Sequence, residues 1–228
     1  MNRILAIETS GEACSVALSV DGAVTEIHEH APMRHAERLL PAVRLLLEES
    51  GLAVRDLDAI AFGRGPGSFT SLRIGIGVVQ GLAWGAGLPV VPVSSLAAVA
   101  RQAWENAGRE PLPVCVAMDA RMQEVFHANF SVTGAGLVAG LDEEKVSPPG
   151  RVAAVAEPFI AAGNGFERFE ELHGLRDRSK HSDTDLWPLA STVLSLACDW
   201  LRSHEALPAA LAQPVYIRNE VASKPKNA

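Results

Sequence analysis

The sequence predicts an α/β fold in which a β-β-β-α-β-α unit is used twice, with mixed sheets covered by helices. Short β-rich runs alternate with segments of helical periodicity, and their order in the first half recurs in the second. Residues 108–113 (GREPLP) combine charge, glycine and proline, which is typical of a linker. We therefore expect a subdomain at 1–107 and an eroded second copy at 114–228, with a polar tail from about residue 222.

The first subdomain opens with three predicted strands, at 3–9, 14–20 and 23–30, which are rich in β-branched and other apolar residues. Asp21 and Gly22 separate the last two strands, and an Asp-Gly pair at such a place favours a tight hairpin turn. The chain therefore begins as a β-meander.

Apolar residues then recur at helical spacing, which predicts an amphipathic helix over 35–49 that is closed by Gly51. Pro41 has no amide hydrogen to donate, so we expect the regular helix to begin only near that residue. The apolar positions are Ala36, Leu39, Leu40, Val43, Leu46 and Leu47.

The rest of the first subdomain is a buried strand at 57–63, a helix at 70–86 and a strand at 88–93. Ser94 and Ser95 are suited to cap a further helix that ends near residue 107. The second half carries weaker signals. Its predicted elements are strands at 114–120, 122–132, 137–141, 143–146 and 159–165, a short helix from about Arg151, a brief helix over 166–172, a polar loop over 176–183 and a strong helix over 185–204.

Composition narrows the class of protein. The 228 residues include 48% hydrophobic and 21% charged residues, which describes a globular chain long enough to bury a real core. The formal charge of 20 − 27 = −7 disfavours free-standing binding to nucleic acid. Three widely spaced cysteines without a CxxC pair suggest reduced thiols. Glu8 interrupts the only apolar stretch near the start, and no run is long enough for a membrane span, so we expect a cytoplasmic protein without a membrane partner.

The densest signal is the segment 63–87, which holds eight of the nineteen glycines. Gly77, Gly81 and Gly85 lie four residues apart and form a smooth stripe on a helix that is almost entirely apolar. Each glycine costs about 1 kcal/mol relative to alanine inside a helix, so the stripe needs a reason. Two interpretations stay open: internal packing against the sheet, or close packing of this face on another protein chain.

The loop before that helix has two interpretations as well. Gly65, Gly67 and Ser68 could direct backbone N–H groups at a phosphate near the helix N-terminus. Gly-Pro-Gly is also an ordinary tight turn, and the Gly-Lys-Ser/Thr of a Walker A loop is missing.

Catalytic and metal-binding patterns are scarce. The seven histidines form neither HxxxH nor HExxH, no serine lies in GxSxG, and no cysteine has an evident histidine partner, so we predict no catalytic residue and no metal site. The repeat suggests that Glu8 and Asp119 face each other across the two halves.

Six segments carry a family resemblance: ILAIETS at 4–10, HAERLLP at 35–41, GRGPGSFTSLR at 63–73, PVVPVSSL at 89–96, MDARMQEVF at 118–126 and PVYIRNEVA at 214–222. Together, and in this order, they resemble the TsaB family of the bacterial tRNA threonylcarbamoyladenosine machinery. The resemblance implies an actin/Hsp70/sugar-kinase-like (ASKHA) fold of two related halves. It also implies a role beside the catalytic paralogue TsaD and the ATPase TsaE, whose complex transfers threonylcarbamoyl to N6 of the adenosine beside the anticodon in tRNAs that read ANN codons.

The residues indicate which branch of this superfamily the chain resembles. TsaD-type proteins carry HHxEGH and hold a metal where this chain has Val93-Ser94-Ser95-Leu96-Ala97-Ala98-Val99, and none of these side chains replaces an imidazole ligand. This superfamily has also been labelled as peptidases. The absence of these histidines argues against a peptidase as well. Two positions depart from the family pattern: glycine is usual where this chain has Ser71 and frequent where it has Gln123. The side chain of Ser71 argues against a close approach of another group to the backbone at that point.

The resemblance therefore implies a non-catalytic scaffold subunit that binds TsaD, joins TsaE in the complex and meets tRNA only through it. Alone, the chain is expected to form a homodimer and to bind no cofactor, with ATP or ADP only at the complex junction. The alternative is an ATP-binding ASKHA-type enzyme that uses the cleft between the halves, where Glu8, Thr9 and Ser10 stand in place of the usual Asp; with Gly65, Gly67 and Ser68 they are the nucleotide-proximal candidates. The predicted partner interface comprises Leu39, Leu40, Val43, Leu46, Leu47, Ile74, Gly77, Val78, Gly81, Leu82 and Gly85.

Overall fold

The first half of the chain forms one mixed sheet with three helices. The computed structural model describes residues 3–218, so the polar tail predicted from about residue 222 lies outside the described residues. The elements are β1 (Arg3–Glu8), β2 (Ala13–Val20), β3 (Ala23–His30), α1 (His35–Glu49), β4 (Ala59–Gly63), α2 (Phe69–Ala86), β5 (Val90–Val93) and α3 (Ser95–Asn106). The strand order is β3-β2-β1-β4-β5; β1 pairs antiparallel with β2 and parallel with β4.

The second half repeats this arrangement with shorter elements. They are β6 (Val114–Asp119), β7 (Val125–Val132), β8 (Val138–Gly140), β9 (Lys145–Ser147), β10 (Ile160–Ala162), α4 (Gly165–Arg168), α5 (His173–Arg176), β11 (His181–Asp183) and α6 (Ala190–Trp200). The order β11-β10-β6-β7-β8, with β9 also on β7, mirrors the first sheet, since β6 pairs antiparallel with β7 and parallel with β10.

The duplicated α/β architecture predicted from the sequence is therefore confirmed, and each copy extends one strand and one helix further than β-β-β-α-β-α. The second copy is eroded where α1 and α2 have their counterparts. A 3-10 turn at Pro149–Arg151 replaces the first, and the four-residue helices α4 and α5 replace the second.

Four predicted boundaries were wrong. The polar loop predicted over 176–183 ends in a strand, since His181–Asp183 form β11. The helix α1 begins at His35 and contains Pro41, because the buried His35 ring bonds the Ala13 carbonyl at 3.1 Å and anchors the first turn. The predicted helix from Arg151 is only the end of the 3-10 turn. The last helix begins at Ala190, where Pro188 has just interrupted the chain and the Ser15 hydroxyl accepts the Ala190 N–H at 2.9 Å.

Each half contributes one helix that packs on the sheet of the other half. The helices α1 and α2 cover one face of the first sheet, and α6 covers its other face although it belongs to the second half. In the same way α3 packs against the second sheet, where Trp104 is 1% exposed. The helices α3 and α6 touch each other in the middle of the molecule. No helix within residues 3–218 is long and apolar enough to cross a bilayer.

Candidate functional site

The segment from Gly63 at the end of β4 to Gly75 in α2 packs tightly against residues 8–10 at the end of β1. A Cβ at Gly63 would overlap the Glu8 carboxylate, one at Gly67 would overlap the Ser10 carbonyl, and one at Gly75 would overlap the Thr9 hydroxyl. Several of these glycines are thus required by contact with the chain itself.

Glu8 is 1% exposed and is used inside the protein. Its Oε1 accepts the Ser10 N–H at 2.5 Å, and its Oε2 accepts the Ser95 hydroxyl at 2.8 Å, which joins β1 to the first turn of α3. Burial raises the pKa of Glu8, against the opposing effect of these hydrogen bonds. Glu8 therefore lies behind the cleft, and the prediction that it faces Asp119 across the two halves was wrong.

The cleft between the halves is a cavity of about 300 Å³. Of the six nucleotide-proximal candidates, Ser10, Gly67 and Ser68 line it, whereas Glu8, Thr9 and Gly65 do not. The Ser68 N–H is already donated to the Ser10 carbonyl at 2.7 Å, so this amide is not free for a phosphate.

Ion pairs occupy the opposite wall of the cleft. Asp119 lies 3.1 Å from Arg168 and 3.5 Å from Arg121, and Arg121 also pairs with Glu12. A phosphate that bound these guanidinium groups would compete with carboxylates that hold them already.

Residues 212–218 cross the cleft and were missed as part of the site, because the sequence predicts no helix or strand there and only residues 214–222 were used, as a segment that carries the family resemblance. Val215 donates its N–H to the Arg64 carbonyl at 2.8 Å, and Ile217 packs in the second core. At the end of this segment, the Arg218 guanidinium donates a hydrogen bond to the Glu124 carboxylate at 2.5 Å. The alternation of apolar Val215 and Ile217 is the signal that could have indicated a packed segment.

The glycine stripe of α2 lies on the surface. Gly77, Gly81 and Gly85 are exposed, and a Cβ at any of them would meet nothing within 4 Å. Trp84 on the same helix is 72% exposed. Internal packing therefore does not explain the stripe, and this almost entirely apolar helix is open on one face.

The predicted interface is wrong for most of α1. Leu39, Val43, Leu46 and Leu47 are 0–6% exposed and belong to the first core, because the apolar stripe of α1 faces its own sheet. Leu40 is 51% exposed, so its place in the predicted interface stays a prediction. On α2, the partly buried Ile74, Val78 and Leu82 pack on the core beside the exposed glycines.

Comparison with known proteins places these features in a family. A family model described as "TsaD: tRNA N6-adenosine threonylcarbamoyltransferase" matches residues 24–176. The tRNA threonylcarbamoyladenosine biosynthesis protein TsaB of Escherichia coli K12 is 40% identical over 226 residues, covering 97% of each chain. The chain belongs to the TsaB family. The TsaB protein of Haemophilus influenzae is 38% identical, covering 97% of this chain and 95% of its own. A solved structure of YeaZ from Pseudomonas aeruginosa is 42% identical, with a TM-score of 0.86, and covers 95% of this chain and 100% of its own.

The two departures from the TsaB family pattern are accommodated differently. Ser71 is buried, its hydroxyl donates to Ser68 Oγ at 3.0 Å, and its carbonyl accepts the Thr9 hydroxyl at 3.0 Å, so the close approach of α2 to β1 is kept. Gln123 has φ +59°, as the third of three consecutive left-handed residues in the turn after β6, which is a conformation that glycine adopts without strain.

Proposed function

We propose that this chain acts in the biosynthesis of tRNA threonylcarbamoyladenosine as a non-catalytic subunit that binds a TsaD-type partner through the exposed face of α2. The names of its relatives support the pathway. The single observation that carries the placement is the open glycine stripe beside the 72% exposed Trp84.

Energetics favours a partner on this face. Three exposed glycines within a helix cost about 3 kcal/mol relative to alanine, in a fold whose whole stability is typically about 5–15 kcal/mol. No contact within residues 3–218 requires Gly77, Gly81 or Gly85 to lack a side chain. A second helix that approaches closely would require it, and aromatic residues such as Trp84 are the usual anchors of such interfaces.

The proposal that the chain is non-catalytic rests on the side chains that occupy the place of the TsaD metal ligands. Where TsaD-type proteins carry histidines, Ser94 caps α3 by accepting the Ala97 N–H at 3.1 Å, and Ser95 binds the buried Glu8. No group of three His, Cys, Asp or Glu residues able to hold a metal occurs within residues 3–218. The chemistry would then lie in TsaD, and a chain of net charge −7 would meet tRNA only through the complex.

The same face would hold a second copy when the partner is missing. An apolar helix face with an exposed tryptophan is suited to a two-fold contact of this kind. The homodimer and the complex with TsaD would then compete, TsaE would join the complex, and ATP or ADP would bind only at its junction.

The test is reconstitution of the modification. TsaD, TsaE, the enzyme that makes threonylcarbamoyl-adenylate and unmodified tRNA are incubated with and without this protein, and the nucleosides are measured by mass spectrometry. Modified adenosine that forms only when the protein is present supports the proposal. Equal modification without it contradicts the proposal.

The alternative, an ATP-binding enzyme, depends on the cleft lined by Ser10, Gly67 and Ser68. Its volume of about 300 Å³ lies at the lower end of ligand pockets, and its arginines are ion-paired. Calorimetric titration of the isolated protein with ATP separates the two: micromolar affinity favours the enzyme, and millimolar affinity or none favours the scaffold.

A further inference from the structure

A second groove, of about 750 Å³, opens beside β8 on the other side of the segment 212–218. Apolar side chains from both halves contribute to its walls: Pro92 and Val93 come from the first half, and Phe130, Val138 and Trp200 come from the second. Trp200 is 44% exposed and stacks on His204 with 3.8 Å between ring centroids. Neither the cleft nor the face of α2 uses these residues.

The edge of β8 that borders this groove is open. The Thr133 N–H bonds the Leu137 carbonyl at 3.0 Å, and the Leu141 N–H bonds the Asn129 carbonyl at 2.8 Å. In an antiparallel pair these positions alternate with outward-facing ones, so the N–H and C=O groups of Val138 and Gly140 point away from β7. No strand within residues 3–218 pairs with that edge.

The groove is acidic. Asp142, Glu143, Glu144 and Asp199 line it, against the single guanidinium of Arg64. Three of these four carboxylates already have partners within the chain. Glu144 pairs with Arg64, and Asp199 lies 3.6 Å from both Arg101 and Arg202. Asp142 accepts the Asn129 N–H at 2.7 Å and the Asn129 side-chain amide at 2.8 Å. Glu143 is exposed and has no ion-pair partner within residues 3–218. Glu143 is therefore the carboxylate of this groove that remains available to a cationic group of a ligand.

We propose that this groove binds a short extended peptide segment of another protein, with basic and apolar residues in alternation. The peptide would add a strand to β8 through Val138 and Gly140, which is the established mode of β-strand addition. Since side chains alternate between the two faces of a strand, its apolar residues would contact the exposed Trp200 while its basic residues reach Glu143. The open edge favours a peptide over a compact small cation, because only a peptide satisfies the outward backbone groups.

The probe is a fluorescein-labelled octapeptide of alternating lysine and valine, titrated by fluorescence anisotropy into the full chain. Saturable binding that is lost with a valine–glutamate peptide, and with a valine–lysine peptide N-methylated on alternate amides, supports strand addition. Equal binding of either control peptide, or no saturation up to 1 mM peptide, overturns the proposal.

Two variants locate the site. Glu143→Lys should weaken binding about three- to tenfold, because an exposed attraction becomes a repulsion. Glu171→Lys carries the same charge change on an exposed residue outside the groove and should leave the affinity unchanged. In amide NMR spectra, the peptide should shift Val138 and Gly140. Equal affinities for the two variants, or unshifted amides, contradict the placement.

A second copy of this chain is the competing occupant. Analytical ultracentrifugation of the wild type and Glu143→Lys decides it, because a dimer that dissociates in the variant assigns the groove to self-association and overturns the peptide proposal. None of these measurements requires TsaD, so they stand apart from the test of the proposed function.

Discussion

Gly81→Leu separates the stability of the chain from its ability to bind a partner. A Cβ at Gly81 would meet nothing within 4 Å, so a leucine there points into open space beside α2. Leucine is a better helix former than glycine by about 0.8 kcal/mol, and in a chain of this size each kcal/mol shifts Tm by about 2–4 °C. We therefore expect the isolated variant to be as stable as the wild type or slightly more so.

The same leucine should interfere with a helix packed on the stripe. Overpacking of a close contact typically costs about 1–3 kcal/mol, which corresponds to an increase of about 5- to 150-fold in the Kd for TsaD. Isothermal titration calorimetry with purified TsaD measures this Kd, and thermal unfolding measures stability. The homodimer should weaken together with the complex, because both would use one face.

Gly174→Leu is the matched control, because Gly174 also lies in a helix with nothing within 4 Å of its Cβ position, but in the second half. It should leave the affinity for TsaD unchanged. A Kd for Gly81→Leu within about twofold of the wild type would refute the placement of the interface on α2. A loss of stability in the isolated variant would refute the argument that this face is open.

Three further predictions concern stability and thiol reactivity. Burial raises the pKa of Glu8 above its ordinary value of 4.5, so its contribution to stability is complete below that pH and is lost as pH rises through the folded-state pKa. The free energy of unfolding of Glu8→Gln in urea should therefore rise relative to the wild type between pH 4 and pH 8, and a difference that does not vary with pH would contradict this. Gly63→Ala should destabilise the chain by about 1–3 kcal/mol or more, because its Cβ overlaps Glu8, whereas Gly77→Ala should stabilise it by up to about 1 kcal/mol in the same urea titration. Burial raises the pKa of the Cys14 thiol to about 11 and also raises the pKa of Cys198, so accessibility decides between them. Ellman's reagent should modify the less buried Cys198 first, and faster modification of Cys14 would contradict the structure.

Local patterns in the sequence were sufficient for the repeated α/β architecture. Alternation and helical periodicity are properties of neighbouring residues, and each copy of the unit carries them in the same order. The glycine stripe of α2 and the cap at Ser94 follow from short-range spacing in the same way.

The orientation of each pattern was decided only by the tertiary structure. Periodicity shows that Leu39, Val43 and Leu46 share one face of α1 but not whether that face meets its own sheet or a partner, and the core contains it. The glycine stripe of α2, in contrast, faces solvent. The spacing of the glycines could not indicate this, because only the packing of α2 on the sheet determines which of its faces remains open.

Contacts between distant residues set the rest. Glu8 meets Ser95 across 87 positions, and Arg218 meets Glu124 across 94, so no local pattern could indicate that the first is buried or that the second closes a crossing of the cleft. The sequence by itself determined the fold class, the family and the types of residue that each element carries. Which of those residues face the core, the cleft or the solvent was decided by the tertiary structure, because burial depends on what the rest of the chain places against each side chain.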